Sequence, residues 1–283
     1  MTAIEVPSGI RLFATDLDGT LLLPDGSIGQ RTREAIDALI ERGIVVVFVT
    51  GRPPRWIRPI AEMTGHHGTA IGANGALVID MEAEIIRRVH SIDSVSARAT
   101  ADRLRAVTPD ITFAVEYAQE GLGLEGSSFA LGSGYVARWE VPRGTQVLEP
   151  DVLFARPGIT KLLARPHGNH GHDADTLLDA ADRAVADLVE VTHSNADDVL
   201  LEMSALGVTK GSTLREVAAE LGIDAHEVVA AGDMPNDASM LTWADTSFAV
   251  EGAHPAARAA AKSSIGSNAD EAVAAVMEAV LST

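Results

Sequence analysis

The stretch IRLFATDLDGT, Ile10 to Thr20, decides the fold. Ile10–Thr15 reads as a short buried strand, and it breaks off at Asp16, with a second acid at Asp18 and a glycine after it. Open α/β sheets carry their ligand-binding groups at the carboxyl edge of such strands. Working outward, residues 30–42 place Ile36, Leu39 and Ile40 at i, i+3 and i+4, with Gly43 where a helix C-cap is wanted. Ile44–Val49 (IVVVFV) is β-branched and apolar on both faces, as a buried parallel strand is. A short strand at Thr69–Gly72, an Asn74-Gly75 turn and a strand at Leu77–Ile79 extend this β-α-β opening of a doubly wound α/β domain.

Residues 205–283 read the same way. Leu214, Val217, Ala218 and Leu221 mark a helical face that ends at Gly222. Val228–Ala231 and Ser247–Val250 are strand-like, and Val273, Val276, Met277 and Val280 line a last helix. Residues 81–204 differ: they alternate in Ile111–Tyr117 and Lys161–Ala164, turn helical near 93–106 and 173–187, and hold most of the glycine-rich loops. The expected organisation is an α/β core at 1–80 and 205–283, a doubly wound parallel sheet, interrupted by an inserted α+β domain at 81–204.

Composition narrows the partners. The 283 residues carry 22 Lys+Arg against 40 Asp+Glu, a formal charge of −18, which excludes a general nucleic-acid binder. An anionic membrane surface is disfavoured for the same reason. There is no cysteine, so thiolate nucleophiles, disulfides and Cys-ligated metals are excluded. The first residues lack a basic n-region followed by a long apolar stretch, and a cytoplasmic protein, monomeric or a small homo-oligomer, is the expectation.

Three polar clusters each follow a buried strand: DLDGT (Asp16, Asp18, Thr20), TGR (Thr50, Gly51, Arg52) and GDMPND (Asp233, Asn236, Asp237). A parallel sheet brings all three to one edge. Asp16, Asp18 and Asp233 would repel one another there without a cation, and an all-oxygen donor set points to Mg2+. Mg2+ keeps positions that a substrate phosphate fills. Lys210, which opens a helix, the Thr50 hydroxyl and backbone N–H groups would hold the other phosphate oxygens. The pattern is that of a phosphoryl-transfer site.

The set DxDGT, a strand-terminal Thr-Gly-Arg, a lysine and GDxxND resembles the haloacid dehalogenase superfamily, and most of all its Cof-type sugar-phosphatase branch. IGANGALVID (71–80), LLEMSALGVTKGSTL (200–214) and GDMPNDASML (232–241) stand in that branch's order. The resemblance implies Asp16 as nucleophile and Asp18 as general acid and base, kept protonated by a neighbouring carboxylate. It implies Mg2+ held by Asp16, the Asp18 carbonyl and Asp233, with Asp237 orienting the metal's water shell. Asn236 would contact phosphate or metal, Thr50, Gly51 and Lys210 the phosphoryl group, and Arg52 the substrate or a supporting position. The gap between Thr20 and Thr50 holds one helix, whereas that between Thr50 and Lys210 exceeds half the chain. Only the second has room for the family's cap, here of the α/β type that closes over small phosphorylated metabolites. Gly252 and Ala272 depart from residues common in the branch, outside the catalytic motifs.

The expected activity is hydrolysis of a small metabolite's phosphomonoester, a sugar phosphate first among candidates. A phosphotransferase or mutase sharing the aspartyl-phosphate, or a non-catalytic phospho-receiver, are the alternatives. GLGLEG (Gly121, Gly123, Gly126) matches a dinucleotide fingerprint by letter but reads as a flexible loop, because Gly132 and Gly134 spoil the helix required after it. HGNHGHD (His167, His170, His172, Asp173) reads as a solvated turn, and His193 as an ordinary polar residue.

Overall fold

The computed structural model describes residues 4–124, 128–168 and 173–283. Gly126, His170 and His172 lie outside them. Two sheets organise the chain. The larger contains β1 (Leu12–Thr15), β2 (Val45–Val49), β3 (Thr69–Gly72), β4 (Leu77–Asp80) and β5 (Ile85–Val89). The smaller contains β6 (Ile111–Tyr117), β7 (Ser128–Gly132), β8 (Gln146–Leu148), β9 (Ile159–Pro166), β10 (Val189–Thr192) and β11 (Leu201–Ala205). The chain then returns to the larger sheet as β12 (Val228–Gly232), β13 (Thr246–Ala249) and β14 (Ser263–Ser264).

The larger sheet runs β14-β13-β12-β1-β2-β3-β4-β5. It is parallel from β14 to β3, with β4 and β5 added antiparallel. β1 sits between β2 and β12, so the strand order reverses there and a crevice opens at its carboxyl end. Helices α1 (Gln30–Glu41), α2 (Arg58–Thr64), α6 (Lys210–Glu220), α7 (Ala238–Trp243), α8 (Pro255–Ala260) and α9 (Ala272–Leu281) accompany this sheet. Gly43, just beyond α1, has φ +78° and ends it as the sequence predicts. Ile36 and Leu39 are buried, while Ile40 and Leu221 are exposed at the rims of their helical faces. The last helix buries Val273, Val276, Met277 and Val280.

The smaller sheet runs β10-β11-β9-β6-β7-β8 and is antiparallel apart from the β7–β8 pair. Helices α3 (Ser94–Val107) and α5 (Ala174–Val185) contribute to its own apolar core, and α4 (Pro150–Leu153) is a single turn. Asp93 and Asp173 cap α3 and α5 through backbone N–H groups. Side chains alternate along a strand. Phe113 and Val115, Leu162 and Ala164, and Leu201 and Met203 therefore face the helices. The opposite phase carries Glu116, Lys161, Leu163 and Glu202 towards the crevice.

Two sequence expectations are corrected here. Residues 85–89 form β5 of the larger sheet, so the chain leaves that sheet after Val89 and not at 81; an edge strand with alternating exposure carries little apolar signal. Gly121–Leu124 is also no free loop. Gly121 N–H donates to Ile86 O, Ile86 N–H to Leu122 O, and Leu124 is buried in the larger core. Among the described residues no helix is long and apolar enough to cross a membrane.

Candidate active site

Asp16 directly follows β1, its N–H donating to Ala231 O on β12 at 3.0 Å. The next five residues make a tight turn in which Gly19 adopts φ +78°. A Cβ on Gly19 would come within 2.4 Å of Asp233 Oδ2, so this glycine supplies both the turn and the room for Asp233. Thr20 Oγ1 donates to Asp233 Oδ1 at 2.7 Å, which fixes the loop after β12 against the loop after β1.

Lys210 is the first residue of α6, and its side chain is fully buried. Its ammonium donates to Asp16 Oδ1 and Asp237 Oδ1, each at 2.6 Å. Asp237 Oδ2 in turn accepts the N–H groups of Asp233 and Met234, both at 2.9 Å. Asp16, Asp233 and Asp237 bring carboxylate oxygens within 4.8 Å of one another.

The electrostatics show a surplus of negative charge. Burial pushes the Asp16 carboxyl well above its ordinary range; Lys210 opposes this, and Asp237 and Asp233 add to it. Burial, with Asp237 beside it, pushes Asp233 up to about 7. Burial alone would lower Lys210, but Asp16 and Asp237 outweigh it and hold the ammonium above its usual value. One cation does not neutralise three clustered carboxylates, two of them buried and Asp233 half-buried. An all-oxygen set with that surplus fits a hard divalent cation. Asn236 Oδ1, buried and without a hydrogen-bond partner, offers a further oxygen.

The other predicted residues surround the same point. Thr50 follows β2 and is buried, its hydroxyl accepting Arg52 N–H at 3.1 Å. A Cβ on Gly51 would meet Asn74 Oδ1 at 2.9 Å, so the loop passes close beneath its neighbours. Asn236 Nδ2 donates to Asn74 Oδ1 at 3.0 Å. Asp18 stands apart from the buried group. Its side chain is 58% exposed, and both oxygens accept from Arg52, at 2.6 and 2.7 Å. The expected carboxylate partner for Asp18 is thus replaced at contact distance by a guanidinium.

A cavity of about 380 Å³ lies between the sheets. Asp16, Asp18, Thr50, Arg52 and Trp56 line it from the larger sheet, and Glu116, Trp139, Lys161 and Glu202 from the smaller. Sequence reasoning missed this second set. Lys161 Nζ donates to Gly51 O and to Glu202 Oε2, each at 2.7 Å. Glu202 also accepts from Ser194 Oγ at 2.7 Å and Asn74 Nδ2 at 2.5 Å. Burial would raise Glu202, but Lys161, Ser194 and Asn74 outweigh it and hold the carboxyl below its ordinary range. Arg55, just past the TGR motif, makes a bidentate pair with Glu116 at 2.6 and 2.7 Å. The available signal was a charged residue set among apolar ones within a strand, at Lys161 and at Glu202.

Comparisons with known proteins agree with this architecture. The family model of haloacid dehalogenase-like hydrolases matches residues 13–277. An HMP-PP phosphatase of Escherichia coli is 28% identical over 257 residues, covering 88% of this chain and 87% of its own. One of Serratia proteamaculans is 28% identical, over 82% and 80%. Among solved structures, a haloacid dehalogenase-like hydrolase from B. subtilis superposes with a TM-score of 0.77 at 22% identity, over 95% of this chain and 99% of that one. A HAD subclass IIB sugar phosphatase superposes with a TM-score of 0.74 at 18% identity, over 95% and 98%. The chain belongs to the haloacid dehalogenase-like hydrolases.

Proposed function

We propose that this hydrolase is a Mg2+-dependent phosphatase that removes the phosphoryl group of a small metabolite, a sugar phosphate first among candidates, through an aspartyl-phosphate on Asp16. One observation carries the reading. Lys210, buried and shared by Asp16 and Asp237, leaves the second Asp16 oxygen for a phosphorus atom in the cavity. The names of the curated relatives and of the solved sugar phosphatase support the same substrate class.

Asp16, the Asp18 carbonyl and Asp233 would hold Mg2+, with Asp237 fixing the surrounding loop and Asn236 offering its free oxygen. When bound, the ion supplies positive charge to the phosphate oxygens and offsets the carboxylate surplus. Lys210, the Thr50 hydroxyl and the Gly51 N–H would bind the remaining oxygens. Asp16 attacks phosphorus while the ester bond breaks; Asp18, released from Arg52 and having taken a proton from solvent, passes that proton to the leaving oxygen. A water then attacks the aspartyl-phosphate, giving its proton to Asp18, and inorganic phosphate and free Asp16 result. Asp18 has to let go of Arg52 to play this part, and an entering phosphate supplies the replacement anion for that guanidinium.

Asp16→Asn tests the reading directly. The protein should keep its circular dichroism while Mg2+-dependent phosphate release from a panel of phosphometabolites falls by at least about three orders of magnitude. Undiminished release would overturn it. An isomeric phosphorylated product in place of free phosphate would assign transfer to a second hydroxyl.

A further inference from the structure

A second group of metal-type donors lies outside the lining of the catalytic cavity: Asp175 in the first turn of α5, His193 just after β10, and His254, the residue before α8. The first two belong to the inserted unit and the third to the core. His193 Nε2 lies 2.8 Å from Asp175 Oδ1, and His254 Nε2 lies 3.1 Å from Asp175 Oδ2. The two imidazoles meet edge to face with centroids 5.6 Å apart. His193 is fully buried, whereas the Asp175 side chain is 59% exposed, so the cluster has a closed floor and an open mouth. Hydrogen bonds from His193 and His254 hold the Asp175 carboxyl below its ordinary range, in the anionic form a cation needs.

We propose that Asp175, His193 and His254 form a transition-metal site of the zinc type that staples the inserted unit to the core. The donor set is two imidazole nitrogens and one carboxylate, which suits zinc or cobalt and not magnesium. Bonds of about 2.0–2.1 Å in a tetrahedral complex place neighbouring ligand atoms about 3.3 Å apart. The 2.8 and 3.1 Å contacts run to the two different oxygens of Asp175, and one ligand atom from each residue lies within 4.8 Å of the others, so the three groups close together around an ion and the exposed side leaves a fourth position for water. Protons balance within the rings, as each imidazole gives up the proton on Nε2 and carries one on Nδ1. For His193 this shift breaks no bond, because its Nδ1 has no hydrogen-bond partner. For His254 it gives up the Ala256 N–H that Nδ1 accepts at 3.1 Å, a loss set against a new metal–nitrogen bond. The backbone N–H of His254 donates to Asp233 O at 2.7 Å, so the ion links α5 to the loop that carries Asp233. The site stands whether or not the phosphatase reading does.

Cobalt reports on it. Titrating Co2+ into the Mg2+-saturated protein should give one equivalent with the intense visible bands of a four-coordinate complex containing nitrogen ligands, unlike the weak bands of an all-oxygen octahedral one. Asp175→Asn and His254→Ala should each weaken that binding by roughly tenfold or more. Asp233→Asn should leave the bands in place. Absence of intense bands in the native protein overturns the proposal, as do bands that survive both of the first two substitutions or vanish with the third. If His254→Ala loses its fold by circular dichroism, Asp175→Asn decides alone, because it keeps the size of a side chain that is 59% exposed and removes its charge.

Discussion

Lys210 is a cation without solvent, held by two acids that would otherwise repel each other. Replacing it with methionine removes one partner of a buried ionic group and leaves Asp16 and Asp237 uncompensated. The expected cost to the metal-free protein is about 3–5 kcal/mol, read by denaturant unfolding, with turnover lost as well. Arginine should not rescue it, since a planar fork does not fit a pocket shaped around a point charge. Gly19 makes a different case. Alanine there combines a strained backbone with a Cβ inside van der Waals contact of Asp233. Gly19→Ala should therefore weaken Mg2+ activation, seen as a rise in the Mg2+ concentration giving half-maximal phosphate release, with little change in far-ultraviolet circular dichroism.

At the level of strands and helices, His66 shows how a loop residue can be tied into the sheet. It follows α2, packs edge-on against Phe48 of β2 at 4.9 Å, and places Nε2 2.9 Å from Val46 O. Burial lowers its pKa from 6.5 to about 4, against the pull of the Val46 carbonyl. Between those values the unfolded chain binds the proton and the folded chain does not. Stability is therefore lost as pH falls from about 6.5 to 4, by about 3 kcal/mol in all. His66→Gln should flatten that part of the stability–pH curve measured by urea unfolding. The strands and helices that carry the candidate-site motifs were legible because their signals are local: IVVVFV, the Gly43 stop, and acids placed directly after apolar runs. The β5 edge was not, since IIRRV is half exposed and gains meaning only from its antiparallel neighbour. Lys161, Glu202 and the Arg55–Glu116 pair were hidden for a related reason: each depends on how one sheet meets the other. His193 and His254 are distant in sequence, and nothing short of the fold brings them to Asp175.

For the molecule as a whole, the formal charge of −18 sits around a cavity expected to admit an anion. Of the three lysines, Lys161 and Lys210 are buried in ionic contacts and only Lys262 is exposed. The net charge would thus repel the proposed phosphorylated substrate before the site attracts it. Raising ionic strength from roughly 10 to 150 mM at saturating Mg2+ should increase kcat/KM, because salt screens the repulsion over about 8–10 Å while contacts inside the cavity stay unscreened. A steady fall would mean that steering is attractive. The meeting of the sheets has a consequence for inheritance. Asp16, Asp233, Asp237, Thr50 and Lys210 all stand with the larger sheet, and the smaller one meets the loops around them through Lys161 at the Gly51 carbonyl, Glu202 at Asn74 and Glu116 at Arg55. A smaller sheet transplanted from a relative could thus bring a new leaving-group preference without disturbing the chemistry, so long as these three handshakes are matched on both sides of the graft.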